Sequence, residues 1–310
     1  MGVGVLDLNV HSKFSKYIIN PCPRTLYESR SILSEQSIRN EFKRLVMNIK
    51  LEAYRRIQML SGGIENIKRK YPFQYLLFSE LSYSFTIQRS LVTTLGQKHI
   101  PNLLKFLVEK RGYIAKTNHR IEITLPTKIV RRIDEIVNSL DSGRRKPNMR
   151  MELKELVDLM QDQDIKIEMK TQILTADIFI EDRRDSRYSY YIEIKTPQPK
   201  KEDCARVKRK LLLFRTYKYM QLIRSGVEPG QAFENALYSA LIGFYYNPFK
   251  ETTEEIRRKK LYPHSFFNRI CDLNEALIAE ELWDCLGGLG TYDELVKIID
   301  EVVKQFKAIE

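Results

Sequence analysis

The chain has little of what several large protein classes require. Among its 310 residues there is no run of about 18 apolar residues, so no helix that crosses a bilayer is expected. Its four cysteines, Cys22, Cys204, Cys271 and Cys285, form no Cys-x-x-Cys pair and match no histidine spacing. A zinc site is therefore not expected, and scattered free thiols suit a reducing cytoplasm. The four histidines, His11, His99, His119 and His264, make no dyad with Ser or Cys and read as surface or satisfied residues. No Gly-x-Gly-x-x-Gly and no Gly-Lys-Ser loop occurs, which removes support for Rossmann chemistry and nucleotide hydrolysis. The first residues, Met1-Gly2-Val3-Gly4-Val5-Leu6-Asp7, lack the basic start and long apolar segment of a signal peptide. There is no internal repeat and no low-complexity tract.

What is present is an ordinary globular composition with an unusual charge. Hydrophobic residues make up 43% and charged residues 30%, which argues against wholesale disorder. A net charge of +12 and a pI near 9.4 favour polyanionic partners, nucleic acid first and an anionic membrane surface second.

The pattern along the chain places helices first. Ser34 reads as the cap of a helix reaching about Leu60, ended by Ser61-Gly62-Gly63. A second helical region spans about Phe85 to Lys110, with a kink or restart at Pro101 and with Gly96 read as allowing close approach to a sheet. Another helix covers Thr127 to Leu140, and Asp141 to Asn148 is a loop containing the densest basic run. From Asp164 the period becomes alternating, with strands predicted at Ile165 to Gln172, Ala176 to Glu181 and Tyr188 to Thr196. A long helix from Glu202 to Arg224 follows, read as basic on one side through Arg206, Lys208, Arg209, Lys210 and Arg215. A strand at Ala240 to Tyr246 and a helical tail from Glu275 to Lys307, broken at Gly287 to Gly290, complete the reading. This order predicts an α/β fold, a mixed β-sheet core flanked by helices with helical N- and C-terminal extensions. The corresponding regions are 1–84, 85–250 and 251–310, expected to form one compact unit.

The chemistry concentrates in two adjacent strands. Alternate side chains share a face of a strand, so Glu193 and Lys195 project together while Ile192 and Ile194 enter the opposite layer. With a turn at about Arg183 to Arg187, an antiparallel register sets Asp177 opposite Glu193, at a Cβ separation of roughly 5 Å. Two carboxylates so close repel each other unless a divalent cation lies between them. Mg2+ suits such a pair, because it takes one or two carboxylates and keeps water and phosphate oxygens as its other ligands. Glu-x-Lys alone is weak, since Glu41-Phe42-Lys43, Glu152-Leu153-Lys154 and Glu168-Met169-Lys170 also occur. The first two lie in helical patterns, and only Glu193 has an Asp at hairpin distance on a strand of its own.

Asp177 on one strand, Glu193-Ile194-Lys195 on the next and a helix carrying basic residues after it resemble the core of the PD-(D/E)xK nucleases, with Ala176 where the usual proline stands. The phrases Gln88 to Gln97, Glu193 to Pro199, Tyr246-Asn247-Pro248 and Trp283 to Gly288 with Thr291-Tyr292 resemble type II restriction endonucleases of the TdeIII family. The resemblance implies a restriction-endonuclease-like fold, with Asp177, Glu193 and Lys195 catalytic and Asp177 and Glu193 holding Mg2+. It also implies double-stranded DNA cut at a GGNCC-type site, and a separate methyltransferase protecting the host. A near-palindromic site is matched by a homodimer.

Around this centre, Arg89, Ser90, Thr93 and Thr94 read either as phosphate contacts or as packing residues. Gln198, Lys200 and Lys201 directly follow the catalytic strand, Arg206 lies on the next helix, and Arg144, Arg145 and Lys146 form a basic arm. All are candidate DNA contacts, to phosphate more than to bases. A structure-specific repair or recombination nuclease and a non-catalytic nucleic-acid-binding protein remain the alternatives.

Overall fold

A computed structural model describes Cys22, Leu26 and residues 30–61, 93–161 and 168–307. Arg89, Ser90 and the start of the second helical region, with Gly62 and Gly63, lie outside the described residues. Five strands form one mixed sheet in the order β1-β2-β3-β4-β5: β1 Ile114–Pro126, β2 Met169–Glu181, β3 Ser189–Lys195, β4 Ala240–Phe244 and β5 Ala276–Ile278. β2 and β3 are antiparallel, and β4 and β5 are parallel. The α/β sheet expected from the sequence is therefore present, with helices flanking it.

The chain divides into two compact units, one of Met1–Pro23, Ile121–Leu174 and Pro197–Leu282, the other of Arg24–Arg120, Thr175–Thr196 and Trp283–Glu310. In the second unit, α1 (Gln36–Ser61) and α2 (Ile100–Lys110) meet through the rings of Phe42 and Phe106, 5.7 Å apart. The C-terminal helix α10 (Thr291–Lys307) is tied to α1 by Glu301, which accepts from Arg39 at 2.6 Å and Lys43 at 2.8 Å. Ser34 does not cap α1 directly. It ends a 3-10 turn, Ile32–Ser34, in which its hydroxyl donates to the Ser31 carbonyl and Ser31 Oγ accepts from Leu33 N. Pro101 restarts the second helix as expected, immediately after a π-helical turn at Leu95–His99. The turn that carries Gly96 lies beside β3, and a Cβ added at Gly96 meets no atom of the described residues within 4 Å.

The predicted break in the tail is real and has a steric cause. α9 (Glu280–Gly287) ends where a Cβ on Gly287 would lie 2.5 Å from the buried Thr291 side chain, and Gly288 and Gly290 follow with φ of 91° and 86°. Those positive values suit glycine alone among common residues. The tail is not helical throughout, however, since Ala276–Ile278 is strand β5. Its fully buried Ala-Leu-Ile run is too short to carry a period, so nothing in the sequence separates it from a helical continuation.

The first unit holds α3 (Thr127–Asp141), α4 (Met149–Met160), α5 (Lys201–Arg224), α6 (Pro229–Leu237), α7 (Thr253–Lys259) and α8 (Ser265–Ile270). Met149, Leu153 and Val157 of α4 pack with Tyr219 and Leu222 of α5 and with Ala232 and Ala236 of α6. Here the basic side read for α5 fails. Lys208 and Arg215 are completely buried, with Lys208 Nζ 2.5 Å from Glu152 and 2.7 Å from Glu275, and Arg215 2.5 Å from Glu275. Arg209 likewise turns to Asp134 at 2.6 Å. Lys208 and Arg215 lie on an internal face whose matching carboxylates come from other segments, and a one-dimensional pattern cannot display them. Cys204 and Cys271 are free, and burial pushes the Cys204 thiol up to about 12. Cys22 and Cys285 are disulfide-bonded, contrary to the expectation of free thiols throughout. Cys22 and Cys285 are far apart in sequence, so their spacing carries no sign of it.

Candidate active site

The hairpin of β2 and β3 is built as its sequence pattern requires. Even-numbered Leu174, Ala176, Ile178 and Ile180 are buried, and so are Tyr190, Ile192 and Ile194 across the turn. The turn is closed by two side-chain caps: Asp182 Oδ1 accepts from Arg184 N at 2.8 Å, and Asp185 Oδ1 accepts from Arg187 N at 3.0 Å. The register that follows pairs Glu181 with Ser189, Ile180 with Tyr190, Phe179 with Tyr191 and Ile178 with Ile192. The paired ladder ends at Ile178 and Ile192, and the next residues, Asp177 and Glu193, are linked through side chains, with Asp177 reaching β3 at the Ile194 N–H. A slip of one residue would have sent the two carboxylates to opposite faces.

Side-chain contacts join the three groups. Lys195 Nζ lies 2.6 Å from Glu193 Oε1 and 3.7 Å from Asp177 Oδ2, and it also donates to the Ile194 carbonyl at 3.2 Å. Both carboxylates thus touch one ammonium, so these oxygens are closer than the ~8 Å beyond which a single Mg2+ could not reach both. Asp177 Oδ2 accepts from the backbone N–H of Ile194 at 2.8 Å, which locks the Asp side chain onto β3. Glu193 is 8% exposed, while Lys195 and Asp177 are 22% and 27% exposed, so the cluster opens to solvent on the Asp177 side. On the same face, one step towards the turn, a ring row runs across three strands: His119 of β1 stacks on Phe179 at 4.6 Å, and Phe179 meets Tyr191 at 5.4 Å.

The donor set fits a hard divalent cation. Two carboxylates supply oxygen ligands, and one ammonium leaves the trio with an excess negative charge that a cation would neutralise. Among the described residues no group of three His, Cys, Asp or Glu side chains is placed to hold a metal. The π turn carrying Gln97 and His99 adds no carboxylate of its own; His99 Nε2 lies 3.6 Å from Glu52 of α1.

A model of the family "Type II restriction endonuclease, HinfI" matches residues 35–303, most of the chain and all of this site. The chain belongs to the HinfI type II restriction endonuclease family. The PD-(D/E)xK relationship read from Asp177, Glu193 and Lys195 agrees with this membership. The chain is 30% identical over 235 residues to the type II restriction enzyme MjaII of Methanocaldococcus jannaschii, a match covering 74% of this chain and 56% of that relative. It therefore spans little more than half of that relative's length. It is 25% identical over 215 residues to the type II restriction enzymes HgiBI and HgiEI of Herpetosiphon aurantiacus, covering 69% of this chain and 70% of each relative. No solved structure matches.

The other predicted contacts are scattered in character. Thr93 is exposed and Thr94 half-buried at the start of the described helical turn. Gln198 and Lys200 are exposed just beyond β3, in a segment pinned where Tyr262 Oη donates to the Pro197 carbonyl at 2.9 Å. Lys201 pairs with Asp141 at 3.1 Å, and Arg206 pairs with Asp203. Of the basic arm, Arg144 and Lys146 are exposed, whereas Arg145 is held 2.8 Å from Glu155.

Proposed function

We propose that this chain is a divalent-metal-dependent restriction endonuclease that hydrolyses phosphodiester bonds of double-stranded DNA at a short specific site. Mg2+ is the metal that the chemistry favours. The observation that carries the reading is the meeting of Asp177, Glu193 and Lys195 at one ammonium on the open edge of a hairpin. When bound, the metal would supply Lewis-acid polarisation of the phosphate and a more acidic water. Asp177 and Glu193 are the residues that would hold it, each fixed by its strand. Lys195 carries a positive charge on the same face, where it can orient an attacking water or balance charge accumulating on the phosphate oxygens. Asp177 is pre-set by the Ile194 N–H, so its carboxylate needs no large rearrangement to act.

The finer points follow the family resemblance: a GGNCC-type target, a separate methyltransferase as partner, a homodimer matching the two-fold symmetry of the site, and action in the cytoplasm. No helix among the described residues is long and apolar enough to cross a membrane. The nuclease core is assigned to 85–250, with helical extensions before and after it. DNA contacts are assigned to Arg89, Ser90, Thr93, Thr94, Arg144, Arg145, Lys146, Gln198, Lys200, Lys201 and Arg206. Digestion of plasmid DNA with Mg2+ and with EDTA tests the proposal. Discrete bands with Mg2+ alone are expected. Cutting confined to junctions or flaps would indicate a repair nuclease, and binding without cutting in Mg2+ or Mn2+ a non-catalytic protein.

A further inference from the structure

Lys116 and His119 lie three residues apart on β1, and on a regular strand an odd separation sends two side chains to opposite faces. Here both reach the same ring: Lys116 Nζ is 5.9 Å from the centre of Phe179, and His119 stacks on that ring at 4.6 Å. Two residues lie between them, Thr117 and Asn118, and Asn118 has φ of 49°, the left-handed region, within a strand whose burial otherwise alternates. Asn tolerates this conformation better than most residues, and such irregularities recur beside active sites because they re-aim a side chain. The re-aimed side chain here is a lysine brought to the face that carries Asp177 and Glu193.

Phe179 follows Asp177 by two positions on β2, so the ring lies ~7 Å along the strand from the carboxylate pair. Lys116 is exposed, so its ammonium is available to a ligand while its stem lies near a buried aromatic floor of Phe179 and Tyr191. Burial, with the nearby Lys116, holds the His119 imidazole below its ordinary value while Glu181 opposes the shift, so His119 is neutral at pH 7 and Lys116 carries the local positive charge. One cation beside a phosphodiester-cleaving centre, offset from it by one strand step, suits a second anionic group of the same polymer.

We propose that Lys116, aimed by the left-handed Asn118 and seated over the His119–Phe179–Tyr191 row, binds a DNA backbone phosphate flanking the one that is cut. This rests on the nuclease reading above. The test is anisotropy titration in Ca2+ of short duplexes carrying a cleavage site mapped with the wild type, with single methylphosphonates flanking the cut. Lys116→Ala should lose roughly tenfold in affinity, the size of one charge-assisted contact, and its log K against log salt slope should fall by about 0.9. One flanking methylphosphonate should weaken the wild type to a similar degree and leave Lys116→Ala unchanged. Lys116→Arg should recover most of the affinity. Asn118→Gly, which permits the left-handed backbone, should bind like wild type, whereas Asn118→Val should resemble Lys116→Ala. Wild-type affinity and slope in Lys116→Ala, or equal penalties for every methylphosphonate in both proteins, would overturn the proposal while leaving the nuclease reading intact. A wild type that neither binds nor cuts DNA would remove both.

Discussion

Two lysines in this chain are each held between carboxylates, and they differ in balance and exposure. Lys208 on α5 lies between Glu152 and Glu275, with Arg215 completing the set, and all four side chains are fully buried. Two cations meet two anions, so the cluster is neutral and sealed. Lys195 at the end of β3 lies between Glu193 and Asp177, partly open to solvent and with no second cation in the trio. Sealed charges are tolerated only when matched and hydrogen-bonded, and Glu275 meets this by also accepting from Asp272 N at 2.9 Å. Two carboxylates that share one ammonium at a solvent-open position are instead a place for a cation from solution. The same residue types thus do two jobs, and charge balance with exposure tells them apart.

The largest effect should come from the two carboxylates of the hairpin. Asp177→Ala or Glu193→Ala should lower cleavage by ~10³-fold or more, the several kcal/mol of transition-state stabilisation a metal provides, while DNA binding in Ca2+ is largely kept. Gel digestion with a parallel binding titration measures both, and full cutting by either variant would discard the assignment. In the sealed cluster the loss should fall on stability. Lys208→Met leaves Glu152 and Glu275 short of a buried partner, and the expected cost is about 3–5 kcal/mol of unfolding free energy in urea titrations. An unchanged midpoint would mean that the buried pairs contribute nothing net.

The pH dependence of the sealed cluster sharpens the contrast. Burial alone would push the Glu275 carboxyl up, but Lys208 and Arg215 outweigh it and hold the carboxyl below its ordinary value. A lowered folded-state value stabilises the protein above the unfolded carboxylate pKa and loses that stabilisation as pH falls through the folded one. The stability advantage of wild type over Glu275→Gln should therefore be complete above about pH 5 and shrink below about pH 4. An advantage independent of pH down to 3 would contradict it. The smallest effect belongs to the exposed Lys200. Lys200→Ala should weaken binding to cognate and random DNA alike and lower the salt slope by about 0.9, whereas a loss confined to cognate DNA would make it a base reader.

The hairpin was legible because each of its determinants is local. Ile178, Ile180, Ile192 and Ile194 fix the buried face, Asp182 to Arg187 fix the turn, and together they fix the register that pairs Ile178 with Ile192, with Asp177 and Glu193 the next residue on each strand. The long helix α5 was legible in extent but not in orientation. Its 3.6-residue period is filled by Lys208 and Arg215, whose partners Glu152 and Glu275 lie 56 and 60 residues away from them in sequence. β1 was not expected from the sequence, although Ile121, Ile123 and Leu125 alternate, because its first half, Ala115 to Arg120, carries almost no apolar residues to mark the buried face.

The hairpin carboxylates, and not the sealed cluster, should take up a divalent ion. Mn2+ titration followed by the free-ion EPR signal, with wild type and the Asp177→Ala Glu193→Ala double variant at equal concentration, tests it directly. The account predicts that wild type withdraws Mn2+ from solution and that the folded double variant does so far less. Equal uptake by the two proteins would contradict it.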